Sequence, residues 1–403
     1  MAWRNLFRNR RRTFLTAAII AIGLAGLIFT DAIIQGMVSN MVSNATDTFM
    51  GHAQVHAERF SLEGKVDQTV VNLPGIESLL RADPSVSEFS ERTRAMAMVT
   101  SASDAESVML YGIDPLKEKQ VSQIHLILQD GRNLKDSREP GVLLGARLAR
   151  TLQAKVGDRV VMTCAKAGTG ELSQEMLRVV GVFAFHSDEM DRNIAFVGLK
   201  RSQKLMGLGP RVHEVVVRFK KGNGSEPGHS ALYQALNVGG NETLPWSLLL
   251  PNLKVVIDIS VYAAFILVFL LAILVALAIL NTQFMALYER MFEFGVLRAL
   301  GTHPMGLAGM VVGEAGCLGF LGVALGVVLG WAVTWIMAQI GIHYTGVEYA
   351  GLTFQHDIYP QARMIQYTLM PLGVWVFTVL IACYPASHAY RIRPAKAMHR
   401  SLG

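Results

Sequence analysis

The sequence predicts a membrane α-helical fold of four transmembrane helices with an α/β domain inserted after the first, on the strength of three observations. Hydrophobic residues fill 51% of the 403 positions against 17% charged, and mean hydropathy is +0.34, more apolar than an average soluble domain. Those apolar residues lie in a few long uncharged runs, separated by a middle region of ordinary soluble composition. Arginine and lysine gather at the ends of the runs on what must be one side of a membrane.

From Thr13 to Thr30 no residue is charged, and as a helix this stretch covers roughly 27 Å, close to the hydrocarbon thickness of a bilayer. A second uncharged stretch, Ile259 to Tyr288, would be about 45 Å long, so part of that helix must stand in water. The third, Met305 to Gly341, is interrupted by Glu314, and the fourth is Tyr367 to Tyr384. The basic residues before the first run could introduce a signal peptide. Apolar character continues through Phe29, Ile33 and Ile34 with no small-x-small cleavage site, which favours a retained span.

The net charge of +6 does not call for nucleic acid, because its placement has a simpler cause. Arg4, Arg8, Arg10, Arg11 and Arg12 precede span one, Arg290 and Arg298 separate spans two and three, and Arg391, Arg393, Lys396 and Arg400 follow span four. The loop Ile342 to Gln366 sets Arg363 against Glu348 and Asp357. Positive-inside bias then puts both termini in the cytoplasm. Three parts are expected: an interfacial helix and span one over 1–36, an extracytoplasmic domain with stalks over 37–254, and the remaining three spans and tail over 255–403.

Within the first part, Trp3, Leu6, Phe7 and Phe14 recur at helical spacing among arginines, as in a helix lying on the membrane surface. Val38, Val42, Ala45 and Phe49 continue an i, i+4 rhythm beyond span one, predicting a stalk that leads to a strand-like segment, His52 to Phe60; a second stalk is expected around Leu248 to Val256. Between them, strands are predicted at Ala95 to Thr100, Ser107 to Ile113, Arg159 to Cys164, Leu177 to Phe185 and His213 to Phe219. Helices are predicted at Leu73 to Ala82, Ala146 to Leu152, Lys200 to Met206 and Ser230 to Val238, with a polar surface loop from Lys220 to Gly228. Of three cysteines, Cys317 and Cys383 fall inside spans and Cys164 is alone in the inserted domain, which at about 215 residues can bury a core without disulfides.

Catalytic signatures are absent from the sequence. The single Gly-Lys pair, Gly64-Lys65, is followed by Val66 and makes no P-loop, and neither HExxH nor GxSxG occurs. No cofactor is expected in this chain. His186, Asp188, Glu189 and Asp191 follow a predicted strand and read as a solvated turn more readily than as a preorganised metal shell, and His52 and His56 less readily still.

The segment Glu289 to Gly301, ERMFEFGVLRALG, is more informative. Phe292, Val296 and Leu300 make an apolar ridge at helical spacing, with Glu289, Arg290, Glu293 and Arg298 as charged neighbours and Phe294 and Gly295 between. Such a helix fits a groove in a soluble protein, or lies on the lipid surface as an amphipathic turn. In span three, Gly306, Gly309, Gly313, Gly316, Gly319, Gly322, Gly326 and Gly330 recur every three or four residues. A strip of that kind lets helix backbones approach closely, within the chain or in a second subunit. Glu314 is costly in hydrocarbon and is expected to be paired or near the headgroups.

These residues resemble a family, the MacB, FtsX and lipoprotein-releasing (LolC/LolE-like) permeases of ABC exporters. The likeness rests on Asn281-Thr282, Glu289-Arg290, EFGVLRALG at Glu293 to Gly301, Glu314 ahead of the glycines, and YPASHAYRIRPAKAM at Tyr384 to Met398. Looser echoes in the inserted domain are GHAQVH at Gly51 to His56, YGIDP at Tyr111 to Pro115, LLGARLA at Leu143 to Ala149, VGD at Val156 to Asp158 and VVGVF at Val179 to Phe183. The resemblance implies a MacB-like periplasmic core domain in a bacterial inner-membrane permease. It further implies a dimer of permeases with two separate cytoplasmic ATPase subunits, which hold the ATP and magnesium. Glu289 to Gly301 would be the coupling helix, and helix tilting would drive export or extraction of a hydrophobic or lipidated substrate, lipoprotein foremost. The alternative it offers is FtsX-like signalling to a periplasmic hydrolase without transport; the size of the inserted domain weighs against that. A periplasmic carrier or adaptor is a further implied partner. In the lipoprotein-releasing relatives a proline-bearing hook captures the carrier, and the corresponding loop here, Lys166 to Gln174, has no proline.

Overall fold

The computed structural model describes residues 10–185, 187–220, 231–343, 348–349, 352–353 and 357–392. The predicted interfacial helix up to residue 9, His186, the loop from 221 to 228 and the basic tail from Arg393 lie outside the described residues. The chain forms two compact units, one of Met1–Ser39, Ile257–Tyr344 and His356–Gly403, the other of Asn40–Val256 with Thr345–Gln355.

Among the described residues five helices build the first unit: α1 (Arg10–Ala45), α2 (Pro251–Glu289), α3 (Met291–Ala299), α4 (Pro304–Ile340) and α5 (Met364–Tyr390). All but α3 contain stretches long and apolar enough to cross a membrane. α2 has 39 residues and so measures about 58 Å, well beyond a hydrocarbon core of about 30 Å. It leaves Phe265, Ile266, Phe269, Leu270, Leu274 and Leu277 exposed while Val275 and Ile279 turn inward, the distribution of a helix bathed in lipid.

The glycines of α4 are used inside the chain. A Cβ on Gly322 would come within 2.7 Å of the Ile20 Cβ, and on Gly326 or Gly330 within 3.0 Å of α1, against Ala21 and Ile28 respectively. Lower on the same helix, Gly319 faces Thr378 of α5 at 2.9 Å, and the Trp375 indole N–H donates to the Gly316 carbonyl. Of the two partners the spacing allowed, other spans of the same chain therefore take Gly316, Gly319, Gly322, Gly326 and Gly330. Gly309 has nothing within 4 Å. At the far end of α1, the Gln366 amide donates to Asp31, and Gln361 N–H donates to the Ala32 carbonyl.

Among its described residues the second unit has ten strands in one sheet: β1 (Ala53–Ala57), β2 (Val86–Thr100), β3 (Ala105–Ile113), β4 (Leu128–Gly131), β5 (Gly141–Gly145), β6 (Arg159–Ala165), β7 (Leu172–Phe183), β8 (Ile194–Gly198), β9 (Glu214–Phe219) and β10 (Asn241–Pro245). The pairings β2–β3, β3–β8, β8–β5, β5–β7, β7–β6 and β6–β2 return to their start and close a ring. β3–β8 and β5–β7 are parallel and the other four antiparallel. Alternate residues fill one core, among them Ala95, Ala97 and Val99 of β2, Val108 and Leu110 of β3, and Val142 and Leu144 of β5, as the period of two requires. β9, β1 and β10 extend the sheet from the first half of β2, and helices Leu73–Ala82 and Ala231–Leu236 cover that extension.

Several boundaries differ from expectation. The i, i+4 rhythm of the first stalk stops at Ala45, where the helix widens into a π turn, Thr46–Met50. The second stalk is broken at Leu250, between a short helix Trp246–Leu249 and α2, because Pro251 starts a new helix. β2 begins nine residues earlier than predicted, its first half masked by charged residues, and Leu172 to Gln174 belong to β7, so the connection from β6 is a tight hairpin closed by Lys166 N–H on the Glu171 carbonyl. β5 and β8 were not anticipated, since every residue in both is buried and no alternation marks them.

The charges of β2 have a structural purpose. Arg92 is fully buried, its Nε and Nη2 both donating to the Glu118 carboxylate, with Nη2 also donating to the Phe49 carbonyl at 2.7 Å. Its guanidinium lies 4.4 Å from the centre of the Phe49 ring, which meets Tyr111 edge-on at 4.8 Å and Phe196 at 5.4 Å. The stalk's terminal turn is thus held by a hydrogen bond, a cation–π contact and an aromatic cluster. His56, buried beside Glu214 and bonded to Gln54, is held neutral by burial, its pKa pushed down to about 3.

Three outcomes are expected. Arg92→Met should destabilise the inserted domain by about 3–5 kcal/mol because Glu118 is left buried and unpaired, with much of the loss recovered in the Arg92→Met, Glu118→Met double variant; hydrogen exchange of β2 in the full chain measures both. Gly326→Val should lower the melting temperature of the detergent-solubilised chain, whereas Gly309→Val should not. Because His56 binds its proton less readily folded than unfolded, stability should fall progressively as pH drops from about 6.5 toward 3. His56→Gln should flatten that part of the pH profile of β1 exchange.

Candidate functional site

α3 owes its position to the break after α2. Arg290, with φ −105° and ψ 13°, ends the long helix, and α3 closes with Leu300 N–H on the Val296 carbonyl. Gly301 follows at φ +96°, a conformation that favours glycine, and His303 caps α4 by accepting from Met305 N–H. Two turns in quick succession hold a nine-residue helix between two much longer ones.

The predicted residues separate into two faces. Phe294 is 2% exposed and Gly295 is buried; Phe294 packs with Leu287, Leu307, Val311, Ala386 and Ala389. Phe292 is 49% and Leu300 79% exposed while Val296 is half-buried, so the two ends of the predicted ridge face away from the chain. One face roots the helix in the spans and the other is offered outward.

Arg290 organises the root. Its Nε lies 3.1 Å from a Glu293 oxygen, its Nη1 2.9 Å from Glu314, and its guanidinium 5.3 Å from the centre of the Phe294 ring. Glu314 therefore has the partner that a carboxylate in an apolar helix requires. It was not among the residues expected at this site, although a lone acid in span three and an arginine before it are a readable pair. Arg298 in the last turn of α3 reaches the Thr302 carbonyl at 3.4 Å, where a cation also suits the helix C-terminus. Glu289 ends α2, and Gly313 lies in α4 next to Glu314.

The other candidates serve the inserted domain. Asp188 pairs with Arg147 at 2.8 Å, the buried Asp191 accepts from Phe185 N–H, and Glu189 is exposed. His52 accepts from Phe219 N–H. Among the described residues no three His, Cys, Asp or Glu side chains are grouped to hold a metal ion.

Comparison with known proteins gives matches to both parts of the chain. The MacB-like periplasmic core domain model matches residues 13–232 and the FtsX-like permease C-terminal model residues 265–394. The lipoprotein-releasing system transmembrane protein LolC of Xylella fastidiosa (strain 9a5c) is 25% identical over 417 residues, covering 97% of this chain and 95% of the relative. The corresponding LolE of Haemophilus influenzae is 21% identical over 358 residues, covering 85% and 84%. The crystal structure of the periplasmic region of MacB from Actinobacillus actinomycetemcomitans aligns with 50% of this chain and 92% of its own, at TM-score 0.36 and 11% identity. Four candidate spans, an inserted α/β domain and the two family-model matches identify the chain as a member of the MacB, FtsX and lipoprotein-releasing family of ABC-transporter permeases.

Proposed function

We propose that this permease couples ATP hydrolysis on two separate cytoplasmic ATPase subunits to the export or extraction of a hydrophobic or lipidated substrate, lipoprotein foremost, with α3 as the coupling helix. The observation that carries this reading is the exposure of Phe292 and Leu300, with half-buried Val296 between them, on a helix rooted by Phe294 and Arg290. A helix lying in lipid needs no such root; one that receives force from a partner does. Movement of α3 would pass through the Arg290–Glu314 pair into α4 and through the glycine contacts into α1. Each step is a short, close-packed contact, the kind that transmits displacement. The exposed apolar face of α2 is available to a second permease subunit and to lipid. Positive-inside bias supports cytoplasmic termini and a periplasmic inserted domain in a bacterial inner membrane.

The test is reconstitution with a candidate ABC ATPase subunit. Phe292→Ala and Arg298→Glu should each lower complex formation and permease-stimulated ATPase activity by at least tenfold, while Glu314→Gln should preserve the complex and reduce stimulation. Wild-type behaviour of the first two variants would refute docking through α3. Accessibility labelling should place a cysteine at position 298 and one at position 189 on opposite faces of the membrane; labelling from the same face would overturn the arrangement.

A further inference from the structure

A sheet face turned to water ordinarily carries polar side chains, but the outer face of the ring carries methionines. On β2, Met96 and Met98 sit at alternate positions and are 58% and 46% exposed, while Ala95, Ala97 and Val99 between and beside them fill the core. The register of β3 sets half-buried Met109 directly opposite Met96. Residues opposite one another in such a pair have Cβ atoms about 4.5–5.5 Å apart, and the diagonal pair Met98 and Met109 lies somewhat under about 8 Å. Met96 and Met98, two residues apart on one strand, are separated by about 7 Å. Each sulfur lies two bonds beyond its Cβ on a flexible, unbranched chain, so all three can meet at a point above the sheet, each at the roughly 2.3 Å of a metal–sulfur bond.

We infer that Met96, Met98 and Met109 form a binding site for one soft monovalent cation, copper(I) or silver(I). Thioether sulfur is a soft, uncharged donor that suits copper(I), whereas calcium and magnesium take oxygen ligands. It has no proton to release on binding, so the site needs neither a neighbouring base nor a shifted pKa. The nearest cation along β2 on this face, Arg94, is committed elsewhere, its guanidinium 4.7 Å from the centre of the Phe60 ring and 4.0 Å from Glu214. Met176 is as exposed as Met96, at 59%, but belongs to β7, on the far side of β6 from β2. Two strand spacings, about 9.5 Å, keep its sulfur out of the site. Because the donors come from two strands, an ion bound there ties β2 to β3 and stabilises the folded ring.

The experiment uses the full chain in nanodiscs, isotope-labelled at its methionine methyl groups and titrated by NMR with silver(I) and, with ascorbate, copper(I). The methyl resonances of Met96, Met98 and Met109 should shift together along one binding curve while that of Met176 stays in place. These signals read the site separately from silver held by the Cys317 or Cys383 thiols. Met96→Leu, Met98→Leu and Met109→Leu keep the volume and the apolar character of the face, and each should weaken the response of the remaining two methionines at least about tenfold. Met176→Leu should leave the binding curve unchanged. Unshifted resonances, an equal response at Met176, undiminished binding in the three Leu variants, or the same shifts with zinc would overturn the assignment.

Discussion

The membrane half of this protein depends on how closely two helices can lie. α4 touches α1 where its side chains are single hydrogens, and a methyl group at Gly322, Gly326 or Gly330 would collide with Ile20, Ala21, Leu24 or Ile28. In lipid the hydrophobic effect gives helices little reason to associate, so contact of this intimacy, with its dispersion energy and lack of side-chain entropy loss, is what fixes the bundle. The Arg290–Glu314 pair and the packing of Phe294 extend the same helix to α3. A surface helix is thereby joined to span one through two short contacts.

The inserted half is fixed differently, by charge placed where charge is expensive. Arg92 has no exposed surface, and it remains ionised because Glu118 meets it with two hydrogen bonds and Glu214 stands at 3.7 Å. Burial opposes the charged form, and the two carboxylates more than offset it, so the arginine holds its proton more firmly than usual. The arrangement ties the Phe49 carbonyl, at the end of the stalk, to β2, the strand shared by both halves of the sheet.

The spans were legible because a bilayer imposes its thickness on any helix that crosses it, and the glycine strip because its spacing survives in the linear sequence. The separation of α3 into a rooted and an open face was half legible: the ridge at 292, 296 and 300 shows in the periodicity, whereas burial of Phe294 depends on α4 and α5 coming alongside. The ring of strands was not legible. β5 and β8 are buried on both sides and carry no alternation, and the first half of β2 reads as solvent-facing because its acids and bases find partners far away in sequence, Glu118 and Lys117 among them. Local pattern reports which side of an element meets water; it is silent where neither side does, and misleading where ions pair out of reach.

The length of β2 has a mechanical meaning. Its 15 residues run past the anchored turn at one end and into the closed ring at the other, bonded to β9 and then to β3 and β6. A pull delivered at Phe49 along the strand would load many interstrand bonds in parallel, which would have to slide together before any one failed. A sheet gripped at a loose hairpin would instead peel open one rung at a time. Gripped in that way, such a domain would carry a load along β2 as a stiff body, and would yield all at once or hardly at all.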